Sequence, residues 1–80
     1  MNIKTERTNG CPIMTVTKGN FTFVYGGMDL ILGKAIIKLD DADGYVEVTD
    51  IGLVMELESK VINEEESKEL CRVANEFLAE

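Results

Sequence analysis

Apolar side chains recur at every second position in two neighbouring stretches, Met14 and Val16, then Phe21, Phe23 and Tyr25. A period of two is the mark of a strand with one buried face. Three dipeptides then recur seven residues apart: Gly19-Asn20, Gly26-Gly27 and Gly33-Lys34. They bound the five-residue stretches 21–25 and 28–32. Five residues is an ordinary strand length and two residues a common hairpin loop. The pattern predicts an antiparallel β-meander.

The registers can be written out. The first turn pairs Lys18 with Phe21, Val16 with Phe23 and Met14 with Tyr25. The second pairs Tyr25 with Met28 and Phe23 with Leu30, and the third pairs Leu30 with Ile37. A four-residue loop 41–44 pairs Ile37 with Val48 and Leu39 with Val46. A turn near 50–52 leaves Leu53, Met55 and Leu57 on the apolar face of a sixth strand. On the other face Asp29 falls opposite Lys38, and Lys38 opposite Glu47. Opposite charges across strands favour a register by ~0.2–1 kcal/mol each.

A helical stripe through Met28, Ile31, Leu32, Ala35, Ile36 and Leu39 competes with this reading. Gly33 and the β-branched residues disfavour it. The C-terminal segment differs in kind. Asn63 is a good N-cap, and Glu66 completes a capping box. Leu70, Cys71, Val73, Ala74, Phe77 and Leu78 form one apolar stripe. The expected fold is α+β: five or six short strands, with one amphipathic helix at 63–79 packed on one face. Residues 1–11 read as a loose arm or short edge strand, 12–58 as the meander, and 1–80 as a single domain.

Net charge adds a second theme. The chain carries −7, unevenly spread. Residues 1–40 hold five basic and three acidic side chains, residues 41–80 three basic and twelve acidic ones. Direct binding to DNA or RNA needs basic groups that displace counterions, so this balance argues against it. A basic partner protein fits instead. No apolar run approaches the ~20 residues that span a bilayer. A start at Met with no secretory leader makes a complete cytoplasmic chain the expectation.

Candidate chemistry is sparse. Histidine is absent, and Cys11 and Cys71 stand sixty residues apart. They read as reduced thiols, Cys71 packed in the core. Asp41, Asp43, Gly44, Glu47 and Asp50 partly match a calcium loop, but Leu39 would occupy its first ligand position. Hairpin geometry is the favoured account of Asp and Gly there. Gly26-Gly27 lacks the Lys-Ser/Thr of a phosphate loop. The pairs Asp40/Asp41 and Glu56/Glu58 fall on a loop and an outward strand face, without the burial that tunes acid–base catalysts. No enzyme, metal or cofactor is expected.

Two surfaces remain as candidates. Asp40, Asp41, Asp43, Glu47, Glu56 and Glu58 form an acidic display able to stand in for phosphates in a basic cleft. In shape and charge alone, this resembles the small acidic inhibitors among phage anti-defence and nuclease immunity proteins. The expectation is an inhibitor that occupies a nucleic-acid-binding surface of a partner. Ile13, Val24, Ile31, Ile36 and Val54 are expected on the outward sheet face, with Ile31 opposite Ile36. The alternative is therefore a structural module that self-associates, as a homodimer, through that face.

Overall fold

The computed structural model describes residues 1–40 and 43–80. The strands are β1 (Asn2–Thr8), β2 (Cys11–Lys18), β3 (Phe21–Gly26), β4 (Ile31–Lys38) and β5 (Tyr45–Val48). The helices are α1 (Ile51–Val61) and α2 (Glu64–Leu78). The strands form one antiparallel sheet in sequence order, so the fold is an α+β meander. Among the described residues no helix is long and apolar enough to cross a membrane.

The first expected hairpin is present with its register: Lys18 pairs with Phe21, Val16 with Phe23 and Met14 with Tyr25. Of the two expectations for 1–11, a loose arm or a short edge strand, the structure shows the strand: β1 lies at the sheet edge, paired with β2 from Asn2↔Thr17 to Thr8↔Cys11. Its turn is Asn9-Gly10, both with positive φ, the arrangement a type I′ hairpin requires.

Between β3 and β4 the expectation fails. Residues 28–32 are not a separate strand, and Gly33-Lys34 is not a turn. The chain leaves β3 at Gly26, turns through 27–30, and runs as one strand from Ile31 to Lys38. Tyr25 pairs with Leu32, Val24 with Lys34 and Phe23 with Ala35, so Gly33 is an extra residue in a bulge. A bulge and a turn both favour glycine, so the dipeptide alone does not distinguish them. The later registers shift with it. Ile37 pairs with Val46, not Val48, and Lys38 with Tyr45, not Glu47. Asp29 lies in the 27–30 turn, and the outer-face ion pair is Lys34–Glu47 at 3.8 Å.

The expected sixth strand is also replaced. Residues 51–61 form α1, capped by the Asp50 side chain, which accepts from the Leu53 N–H. Leu53, Met55 and Leu57 fit a strand's alternation, but Ile51, Val54, Met55 and Glu58 fit a helix equally well. The Asp50 cap and the burial of Val54 fall on the helical side. Val54, expected on the outward sheet face, is 0% exposed and central to the core. The second helix, expected at 63–79, is α2 with its capping box: Asn63 accepts from the Glu66 N–H, and Glu66 accepts from the Asn63 N–H.

The core gathers Met14, Val16 and Phe23 of the sheet with Val54, Leu70 and Phe77 of the helices. Each such side chain, fully buried, contributes about 1.5–3 kcal/mol of transfer free energy. Both helices thus cover one face of the sheet and leave the other open. Lys18 fixes one end of this packing. Its ammonium donates to the Val61 carbonyl at 2.8 Å and to Glu66 at 2.6 Å, joining the β2–β3 turn to the α1–α2 junction.

A candidate binding groove between the two helices

α1 and α2 both contribute to the core under the sheet, and few of their backbone positions approach one another closely. Between them lies a groove of about 530 Å³. One wall is the α1 stripe Ile51, Met55 and Glu58, at helical spacing. The other is the α2 stripe Ser67, Leu70, Cys71, Ala74 and Leu78. The floor is Met14, Tyr25 and Leu32, and the lip is Asp29, Leu30 and Ile31. Cys71, expected in the core, is exposed and belongs to this wall.

Tyr25 and Glu58 form the polar centre. The Tyr25 hydroxyl donates to the Glu58 carboxylate. Burial first, and then this hydrogen bond, hold the phenol protonated well above its ordinary value of 10. Leu30, at the lip, takes a left-handed backbone with φ 49° while its side chain is buried. A left-handed non-glycine residue costs about 1–2 kcal/mol, so packing holds this turn in place.

The expected acidic residues do not share one surface. Asp40 and Asp43 flank the β4–β5 connection, where Asp40 accepts from the Asn20 side-chain amide. Asp41 lies outside the described residues. Glu47 pairs in register with Ile36 on the open sheet face, away from the helices. Glu56 and Glu58 are on α1, not on a strand. Glu56 pairs with Lys60 at 3.2 Å, while Glu58 turns inward to Tyr25. Asp50, a ligand in the calcium reading, is used as a helix cap.

The Gly33 bulge restores one part of the apolar-face expectation. Ile31 and Ile36 lie on the same strand rather than opposite each other. Five residues of regular alternation would put them on opposite faces. The extra residue turns both, with Ile13 and Val24, to the open side. Ile31 is 66% exposed there, at the rim where the open face meets the groove.

Sequence reasoning missed the groove because it read α1 as a strand. The available signal was Asp50 three residues before Leu53, opening a stripe at helical spacing. No family model, curated protein or solved structure matches the chain.

Proposed function

We propose that this protein is a small acidic binding module that occupies a basic surface of a partner protein, of the kind that otherwise holds nucleic acid. The observation that carries the reading is the segregation of charge between layers. Residues 51–80, the helical layer, hold eight acidic and three basic side chains. The segment from β1 to β4 holds five basic side chains and only Glu6 and Asp29 as acids. A field of one sign on one layer steers a basic partner and orients it on arrival.

Glu56 and Glu58 of α1 are the contacts expected from the helical layer, and Asp40 and Asp43 form a separate acidic contact at the β4–β5 connection. The Glu56–Lys60 and Glu64–Lys68 pairs are exposed surface pairs of small net strength, so a partner's Lys or Arg can replace the internal cation. Blocking follows from occupation alone and requires no catalytic step.

The test uses the immobilised protein to capture proteins from lysate, with double-stranded DNA as competitor. The reading expects a nucleic-acid-binding protein of high pI, released by DNA or by raising salt from about 50 to about 500 mM. Capture indifferent to both, or no such protein captured, overturns it.

A second reading rests on the open sheet face, where Ile31 and Tyr45 are both about two-thirds exposed beside Ile13, Val24 and Ile36. A face of this kind supports self-association. Sedimentation velocity decides it: a dimer lost on Ile31→Lys or Ile36→Lys supports assembly, and a monomer indifferent to both removes it.

A further inference from the structure

We propose that the groove between α1 and α2 receives a basic amphipathic helix of the partner, its apolar side chains on the groove walls and a lysine or arginine at Glu58. The inference rests on the reading of the protein as a module for basic partners and names the element it grips. Three observations carry it.

The first is the composition of the lining. Among the described residues it is apolar apart from Ser67, Asn75, Tyr25 and the two carboxylates of Asp29 and Glu58, with no Lys or Arg. Every formal charge facing the cleft is negative. An occupant that satisfies such walls is apolar along one stripe and cationic beside it.

The second is the form of the walls. The α2 stripe from Ser67 to Leu78 covers eleven helical steps, about 16 Å at 1.5 Å per residue. That is three turns of a partner helix. The backbone groups of the walls are already paired within α1 and α2, so an extended peptide would find no ladder to join. A helix satisfies its own backbone and presents only side chains.

The third is what the groove leaves exposed. Met55 is 59% exposed and Ile51 50% exposed, on the same α1 stripe as Glu58. Methionine adapts to varied apolar partners at low conformational cost. Leu78 and Ile31, both exposed, line the same groove. The Glu58 carboxylate accepts from the Tyr25 hydroxyl, which fixes its place among the groove residues.

The probe is a fluorescent Leu/Lys peptide of about 14 residues, with leucines at i, i+3, i+4 and i+7. A scrambled peptide of identical composition is the control. The full chain is titrated against each, with anisotropy as binding readout and circular dichroism for helix induction. The expected result is tighter binding of the patterned peptide with a gain of helix. Met55→Lys and Glu58→Gln should each weaken it by about tenfold, while Ile36→Lys on the open face has no effect. Met55 and Ile36 are not core residues, and thermal melts of each variant confirm folding.

Equal binding of patterned and scrambled peptides, weakened alike by salt, overturns the groove and leaves the acidic module standing. No binding of either peptide also overturns it. A dimer dissociated by Met55→Lys would assign the groove to a second copy and overturns it too. Conversely, patterned binding without capture of a DNA-displaceable protein would overturn the module's assigned partner and not the groove.

Discussion

The Arg7 guanidinium lies 4.6 Å from the centre of the Phe77 ring, and the same side chain donates to the Phe77 carbonyl at 3.0 Å. This contact joins β1 to the end of α2 across seventy residues. The cation stacks on the ring while one N–H joins the Glu80 N–H in donating to the Phe77 carbonyl at the helix end. Arg7→Ala is expected to cost about 1 kcal/mol, read as a shift in urea midpoint. Arg7→Met, which keeps the stem, should restore only part of it. An unchanged midpoint would show that β1 is held by the sheet ladder alone.

Val54 and Met55 are neighbours in sequence and opposites in environment. Val54→Asp places an unpaired charge among Val16, Phe23 and Phe77 and is expected to cost about 3 kcal/mol or more. Met55→Lys should stay within about 0.5 kcal/mol of the parent. Chemical denaturation of the pair distinguishes a helix at 51–61 from a strand. Equal tolerance of both changes would contradict the burial of Val54.

Stability is expected to fall in strong base through Tyr25. Its phenol is held protonated in the fold above the ordinary value of 10. Below about pH 10 both folded and unfolded chains carry the proton, and the contribution is complete. As pH rises further the unfolded chain releases its proton first, so the folded state loses ground. Tyr25→Phe removes that slope. Denaturant midpoints measured across about pH 8 to 11.5 should separate the two proteins only at the alkaline end.

At the other extreme, the Lys18 ammonium, followed by the Asn63 backbone N–H, holds the Glu66 carboxyl below its usual 4.5. The stabilisation is present above that value and is lost as the pH falls through the lower folded value. Glu66→Gln should flatten the acid limb of the stability profile. Asn63→Ala, which removes the cap itself, should cost about 1 kcal/mol across the pH range. Thermal melts between about pH 2.5 and 7 test both.

Much of this architecture can be read from local signals, and its errors have a common source. Lys18↔Phe21 and the capping box at Asn63 follow from turn and cap chemistry that admits few alternatives. Gly33 and the stretch 53–57 do not, because each satisfies two geometries. Tertiary packing goes with one of the two: Ala35 follows the bulge and Val54 lies on the helix, and both are fully buried. The β1 hairpin was legible in Asn9-Gly10, yet β1 itself is almost wholly exposed and shows little alternation. The groove was hidden because it lies between elements, and its walls acquire meaning only once α1 is recognised as a helix.

The strand order has a consequence for how quickly the molecule assembles. Every strand lies beside its immediate predecessor in the chain, so each ribbon closes a short loop before the next begins. Low contact order of this kind favours rapid folding. Among the described residues, the side-chain hydrogen bonds of greatest sequence separation, Lys18 with Glu66 and Arg7 with Phe77, both involve α2. Docking of that last helix onto a preformed ribbon is therefore the expected late event. Substitutions at Phe77 should accelerate unfolding while leaving the refolding rate nearly untouched.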